Sequence, residues 1–178
     1  MPLLFNIRTP SNFSDAFLNT NEHIEGFFLE YYSMNNGENL ELLIAEIKKD
    51  NSITKWLPLI DDCYVAYRNG HKMVVVPALI AVIEGIQSQK IGILRTGQTK
   101  MIAPTRTKAN QAHPTEIDSI LWKSVLAVTE KLYMPSNFAS EKPDFINRHW
   151  ILHGRDSSEW GDIECIRLFN YIGSLTIV

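Results

Sequence analysis

The sequence predicts an all-α protein, a helical bundle built as one domain. Apolar side chains recur every three or four residues in several segments, which is the spacing of one face of a helix. No alternation of apolar and polar residues, the pattern typical of strands, recurs over four or more residues. The 178 residues suit a single domain, 1–178, and the 45% of hydrophobic and 21% of charged residues are typical of a globular chain.

Four segments show the helical spacing most clearly. Residues 21–33 predict a short amphipathic helix, and residues 39–50, 115–133 and 162–177 predict longer ones. The side chains predicted to face the core are Leu40, Leu43, Ile44 and Ile47, then Ile117, Ile120, Leu121, Val125, Val128 and Leu132, then Ile163, Ile166, Phe169 and Ile172. Asp162 is the predicted N-cap of the last helix, since its carboxylate suits the free N–H groups of a first turn.

The middle of the chain is less regular. Residues 52–70 predict a helix in which Pro58 gives a kink or a late start and Gly70 ends the helix in a left-handed C-cap. Residues 71–87 are nearly all apolar, and their length and Pro77 favour a helix over a strand. We expect this helix to be buried nearly all round.

Residues 88–112 stand apart because they carry five basic side chains and no acidic one. Those side chains are Lys90, Arg95, Lys100, Arg106 and Lys108. The local charge of +5 leaves −8 for the rest of the chain, since the total is −3. Glycine, threonine and proline disfavour a helix here, and we expect a long basic loop inserted between two helices. It is either a solvated excursion or an arm whose Lys100 and Arg106 contact phosphates.

Composition and charge exclude several classes of protein. A net charge of −3 argues against a general polycation, and two distant cysteines, Cys63 and Cys165, are too few for a disulfide scaffold. The first residues lack the pattern of a signal peptide. The most apolar stretch, residues 73–83, is too short to span a bilayer and is followed by Glu84. We therefore expect a cytoplasmic location and no membrane partner.

The segment FINRHWILHGRDSSEWGD, residues 145–162, mixes cationic and apolar side chains. His149 and His153 are four residues apart, which places both rings on one helical face, as in metal-binding helices. The zinc-peptidase pattern, however, needs glutamate directly after the first histidine, and Trp150 stands there. No third ligand is evident from spacing. We predict no bound metal and no other cofactor.

A purely structural interpretation of this segment stays open. Trp150, Ile151 and Leu152 are expected to pack, and a histidine beside them is often a core or interface group satisfied by a backbone carbonyl. Glu84 interrupts an apolar run, and it is either paired with Arg148 or His149 or placed at an exposed helix end. We include Glu84 among the predicted substrate-binding residues.

The spacing Arg148-x4-His153, with a polar residue directly after the arginine, resembles the signature of the HEPN superfamily (higher eukaryotes and prokaryotes nucleotide-binding). The resemblance implies an all-α protein, commonly with a four-helix core. Many such proteins are metal-independent ribonucleases of toxin–antitoxin or antiviral systems, and others only bind nucleotides or assemble. The resemblance also implies a site made by Arg148, His153 and His149 where two protomers meet, hence a homodimer, with an antitoxin protein as a further partner.

A second formal match, from Arg106 to His113, spans the polar loop and has no predicted helix beneath it. We set it aside.

The chemistry of the residues suits RNA cleavage without metal. Histidine titrates near neutral pH and suits the base and acid steps, which we assign to His153. Arginine presents a cationic fork to phosphate oxygens, which we assign to Arg148. His149 orients the phosphate or is the second acid, and Arg155, seven residues after Arg148, adds a phosphate contact. One difficulty is that Arg148 and His153 lie about 140° apart on an ideal helix.

The predicted function is therefore a metal-independent endoribonuclease of defence or toxin type. Two alternatives stay open at this stage. One is a catalytically inactive HEPN-like module that binds nucleotide or protein. The other is a helical interaction protein in which the arginine and histidines form a structural network.

Overall fold

A computed structural model describes residues 21–93, 101–112, 117–156 and 158–178. This part of the chain is all-α, as predicted, and contains no strand. Its helices are α1 (Asn21–Ile47), α2 (Leu57–Arg68), α3 (Lys72–Lys90), α4 (Ile102–Gln111), α5 (Ile117–Leu132), α6 (Arg148–Leu152) and α7 (Asp162–Ile177). A 3₁₀ helix, Asn51–Trp56, joins α1 to α2.

The first helix contains a sharp break between its two predicted halves. Met34 has extended backbone, and Asn35, Asn36 and Gly37 have φ angles of 49°, 58° and 87°. Asparagine and glycine are the residues that adopt left-handed backbone most readily. The Arg68 guanidinium of α2 donates a hydrogen bond of 2.7 Å to the Asn36 carbonyl and holds the break in place. The prediction of separate helices on either side is confirmed.

The last helix, α7, forms the centre of the bundle. It packs against α1, α3 and α5, and ten of its residues are buried. Ile166, Phe169 and Ile172 are buried as predicted, whereas Ile163 is only half-buried. The predicted N-cap is wrong by one residue.

Gly161 is the N-cap of α7, and Asp162 is the first residue of the helix. The Gly161 N–H, which has no partner within the helix, donates to a Glu164 carboxylate oxygen at 2.7 Å. A side chain of the first turn thus caps the helix. The Asp162 carboxylate instead accepts a hydrogen bond of 2.6 Å from Lys72 at the start of α3.

The apolar helix α3 packs between α2 and α7 and also contacts α6. Nine of its residues are buried, but Met73 and Val74 are 48% and 62% exposed. The expectation of burial nearly all round is therefore wrong, since neighbouring helices leave part of α3 facing solvent. By length and composition alone α3 is long and apolar enough to cross a membrane, a test that core helices also pass, and half of its apolar window is buried within this chain. Pro77 lies inside the helix rather than in its first turn.

The predicted inward face of α5 is largely confirmed. Leu121, Val125 and Leu132 are buried, and Val128 is half-buried. Ile120 is 65% exposed, against the prediction. On an ideal helix it lies about 100° from Leu121, the start of that buried stripe, and this places it at the solvent side. The Ile117 side chain lies outside the described part.

The predicted basic loop, residues 88–112, is wrong over much of its length. Residues 88–90 complete α3, and Ile102–Gln111 forms α4, which packs along α5. Pro104 is the third residue of α4, where a backbone N–H has no partner within the helix. Thr105 and Ala109 form its buried side. Residues 94–100, which include Lys100, lie outside the described residues.

A buried network of polar side chains joins four helices, α3, α4, α5 and α7. The Gln87 side-chain amide of α3 donates to the hydroxyls of Thr105 on α4 (3.0 Å) and Thr129 on α5 (2.8 Å). The Tyr171 hydroxyl of α7 donates to the Gln87 amide oxygen at 3.1 Å and lies 2.9 Å from the Thr129 hydroxyl. Each polar group therefore has a partner, which limits the cost of burial.

Candidate active site

The segment with the arginine and the histidines folds as α6, a five-residue helix. Its N-cap is Asn147, which is 1% exposed and whose side-chain oxygen accepts from the N–H groups of His149 (3.0 Å) and Trp150 (3.3 Å). The Asn147 amide group donates to the carbonyl of Met134, just after α5, at 2.9 Å. One buried side chain thus starts α6 and fixes it to the end of α5.

The C-terminal end of α6 is closed by a Schellman motif. Gly154 has a φ of 64°, and its N–H donates to the Ile151 carbonyl at 3.0 Å. The Arg155 N–H donates to the Trp150 carbonyl at 2.8 Å. This pair of hydrogen bonds reverses the chain directly after His153. The histidine at the C-cap therefore sits at a turn rather than within a regular helix.

Arg148, the first residue of α6, forms an ion pair with Glu84 of α3. Its Nε and Nη2 atoms donate to the two carboxylate oxygens at 2.8 and 3.2 Å. The two side chains are 16% and 19% exposed. Of the two predicted environments of Glu84, the pairing with Arg148 is the one observed. A two-point bond to a guanidinium fixes both the position and the plane of the arginine.

The two histidines and two neighbours form what we call the histidine cluster: Phe138, His149, His153 and Arg155. The rings of His149 and His153 are 4.7 Å apart between centroids. Phe138 stacks on His149 at 4.5 Å with planes 5° apart, and lies 5.8 Å from His153. The Arg155 guanidinium lies 5.3 Å from the centre of the Phe138 ring. His153 and Arg155 are exposed and His149 is half-buried, which leaves the cluster open to solvent.

The pKa of His149 is lowered from 6.5. Burial is the largest cause, followed by the charges of His153 and Arg148. A lowered pKa means that the neutral imidazole is favoured near pH 7.

The charges of the ion pair act on a buried tyrosine, Tyr133. Tyr133, the residue that follows α5, is buried, and burial raises its pKa well above 10. Tyr171 and Glu84 raise that pKa further, whereas Arg148 lowers it. The Tyr133 hydroxyl has no hydrogen-bond partner among the residues that the structure describes. The low solvent exposure of both side chains strengthens the attraction between Arg148 and Glu84.

The structure thus brings together five of the seven predicted site residues. Arg148 and Glu84 form the ion pair, His149 and His153 lie side by side, and Arg155 lies at the edge of the same cluster. No hydrogen bond, ion pair or ring contact joins Arg148 to His149 or His153 within the described residues, since the Arg148 side chain is bound to Glu84. The angular separation expected between Arg148 and His153 is therefore not closed in the structure.

The two predicted contributions from the basic segment are not part of this group. Arg106 lies on α4 and forms an ion pair of 2.7 Å with Glu130 of α5. Lys100 falls outside the described residues, as does His113. The Arg106–His113 match therefore receives no support from a described contact.

Two residues of the site were missed from the sequence, Phe138 and Asn147. Phe138 lies in the irregular segment between α5 and α6, where no periodicity marks a side chain as important. Asn147 had a usable signal, since asparagine directly before a helical segment is a preferred N-cap.

Comparison with protein-family models, curated proteins and solved structures returns no match to this chain. Within residues 21–93, 101–112, 117–156 and 158–178, no group of three or more His, Cys, Asp or Glu side chains is arranged to hold a metal ion. What the site does is therefore inferred from its own geometry.

Proposed function

We propose that this chain is a metal-independent endoribonuclease whose site is the histidine cluster together with Arg148 and Glu84. The observation that carries the proposal is the placement of two solvent-accessible imidazoles 4.7 Å apart, one of which directly follows Arg148, an arginine that Glu84 orients. Cleavage of RNA through its own 2′-hydroxyl needs a base, an acid and a cation near the phosphate, and these groups supply all three.

The ion pair with Glu84 leaves Arg148 able to bind phosphate. A guanidinium carries five N–H donors, and Glu84 accepts from only two of its nitrogens, Nε and Nη2. The remaining N–H groups are held in a fixed plane by the carboxylate. A clamp that is already oriented loses less entropy on binding than a free arginine side chain. In this proposal Glu84 orients the clamp and does not touch RNA.

The two histidines divide the proton transfers. His149, whose lowered pKa favours the neutral imidazole, is suited to take the proton of the 2′-hydroxyl, a role predicted from the sequence for His153. His153, which is exposed at the turn, then protonates the leaving 5′-oxygen. The 2′-oxygen attacks phosphorus, the bond to the 5′-oxygen breaks, and the products are a 2′,3′-cyclic phosphate and a 5′-hydroxyl. Arg155 contacts a neighbouring phosphate.

The proposal includes a homodimer with the site near the subunit interface. Apolar side chains next to the site are exposed, which is typical of surfaces that bind protein. They are Met134 at 42%, Phe138 at 37% and Leu152 at 39%. The antitoxin partner and the cytoplasmic location stay predictions.

The test is cleavage of a single-stranded RNA by the purified protein in EDTA. We expect 2′,3′-cyclic phosphate ends, and a loss of rate of about 100-fold or more in His149→Ala and His153→Ala. His71→Ala is the matched control, since His71 is exposed and its side chain caps no helix. Full activity of the two site variants, or intact RNA after long incubation with wild-type protein, would overturn the proposal.

A second candidate is RNA or nucleotide binding without cleavage. It is favoured by the ion pair, because a guanidinium bound to a carboxylate carries less free charge for a transition state than an unpaired one. This candidate predicts affinity that falls steeply with salt and RNA that stays intact.

A further inference from the structure

Phe138 contacts every ring of the site. It stacks flat on His149, and it meets Trp150 edge to face at 5.4 Å and His153 at 5.8 Å. The Arg155 guanidinium lies over the same ring. The four groups around Phe138 come from α6 and the turn after it, whereas Phe138 itself comes from the segment that follows α5.

Phe138 does not belong to the hydrophobic core. It is 37% exposed, and it is absent from the buried core residues and from the side chains packed on them. A large aromatic side chain that stays outside the core needs another reason for its fixed place. The ring contacts of Phe138 are with His149, Trp150 and His153.

The backbone around Phe138 is anchored to α6 on its N-terminal side. The Met134 carbonyl accepts from Asn147, and the Ser136 hydroxyl accepts a hydrogen bond of 2.7 Å from the Trp150 indole. These bonds fix residues 134–136 against α6. Phe138, two residues further along the chain, therefore lies next to the histidines. Residues 134–138 are therefore held in place by contacts with α6, although they form no regular secondary structure.

We propose that Phe138 is a positioning residue that holds the His149 ring in the orientation needed for proton transfer. The effect of Phe138 on catalysis rests on the proposed function. Its effect on the orientation of His149 rests on the parallel stack of the two rings. A flat ring at 4.5 Å restricts rotation of the imidazole and removes water from one of its faces.

The charged and titratable groups that face His149 are Arg148 and His153, with Glu84 bound to Arg148 and Arg155 beyond Phe138. Replacing Phe138 leaves all four in the chain. A change in the behaviour of His149 in that variant therefore reports the loss of the stack rather than the loss of a charge.

The test compares Phe138→Leu, Phe138→Tyr and Phe145→Leu by NMR with ¹⁵N-labelled histidine. Phe145 is the matched control, since it lies in the same segment but packs against the core and Lys131. In Phe138→Leu we expect the carbon-bound protons of His149 to lose the ring-current shift of the stack. We also expect the pKa of His149 to move upward, because burial is the main cause of its lowering. Phe138→Tyr keeps an aromatic ring against His149, and we expect the ring-current shift and the pKa of His149 to match those of the wild type.

In the RNA assay Phe138→Leu lowers kcat by about tenfold or more with little change in KM, since misplacing a reacting group costs rate rather than binding. Unchanged His149 signals in Phe138→Leu, or equal changes in Phe145→Leu, would overturn the inference. If wild-type protein cleaves no RNA while the NMR changes occur as expected, the proposed function fails and the role of Phe138 in placing His149 stands.

Discussion

Arg148 donates two hydrogen bonds to Glu84, which lies 64 residues earlier in the chain, and this ion pair joins α6 to α3. Both side chains are mostly buried, and the hydroxyl of Tyr133 beside them is buried too. α6 is only five residues long and cannot be stable by itself. The ion pair, the Asn147 cap, the buried Ile151 and Trp150, and the hydrogen bond from the Trp150 indole to Ser136 hold it on the bundle.

The first prediction concerns the strength of this ion pair. In a double-mutant cycle with Glu84→Gln and Arg148→Met, we expect a coupling free energy of about 1–3 kcal/mol, since the two groups share bonds in a poorly solvated place. Urea denaturation followed by circular dichroism measures it. The matched control is the pair Arg106–Glu130, whose side chains are 55% and 43% exposed. Its coupling should stay below about 1 kcal/mol, and equal couplings for the two pairs would contradict the prediction.

The second prediction concerns the buried polar network. Thr129→Val removes a hydroxyl that contacts both Gln87 and Tyr171, and leaves their polar atoms short of partners. We expect a loss of about 1–3 kcal/mol of unfolding free energy. Thr107→Val is the control, because Thr107 also bonds the carbonyl four residues earlier but is exposed. A loss in Thr107→Val as large as that in Thr129→Val would show that the network adds nothing.

Much of the fold was predictable because large apolar side chains mark the buried faces of long helices. α3, α5 and α7 were each found in this way. α4 was missed because its buried side is made of Thr105 and Ala109, which carry no strong hydrophobic signal. The buried Thr105 hydroxyl donates to the Met101 carbonyl and accepts a hydrogen bond from Gln87 on another helix. No local pattern in the sequence contains that information.

The site was predictable in part for a similar reason. Arg148, His149 and His153 lie within six residues, and their spacing on one short helix could be read directly. Glu84 could be named as a partner of Arg148 or His149, because a carboxylate in an apolar run needs a counter-charge, but an exposed helix end was equally compatible with the sequence. Phe138 could not be found, since its position depends on how an irregular segment returns to α6.

The third prediction concerns two glycines with opposite effects. An added Cβ meets nothing within 4 Å at either Gly26 or Gly154, so that only backbone conformation decides the outcome. Gly26 lies within the helical part of α1, and Gly26→Ala should stabilise the protein by about 0.5–1 kcal/mol. Gly154 has a φ of 64°, and Gly154→Ala should destabilise it by about 1 kcal/mol. Thermal unfolding of both variants tests the sign. A stabilising Gly154→Ala would mean that the Schellman turn is not formed.

The last prediction concerns the acid dependence of the turn that follows the site. Burial raises the pKa of Asp156, but the hydrogen bonds from Ser158 and the charge and hydrogen bond of Lys142 outweigh it, and the pKa lies below 3.8. A carboxyl whose pKa is lowered on folding stabilises the native state above its unfolded pKa, and this stabilisation is lost as pH falls through the folded pKa. Wild-type protein should therefore be more stable than Asp156→Asn at pH 7, by about 1–2 kcal/mol.

The difference between wild type and Asp156→Asn should shrink as pH falls below about 4, the ordinary pKa of an aspartate. Urea denaturation at a series of pH values measures this difference. Asp144→Asn is the matched control, because Asp144 lies in the same stretch between α5 and α7 but is exposed. The free energy of unfolding of Asp144→Asn should differ little from that of the wild type at every pH. A difference for Asp156→Asn that stays constant from pH 7 to pH 3 would show that the ionised carboxylate does not hold this turn, and that packing around the site suffices.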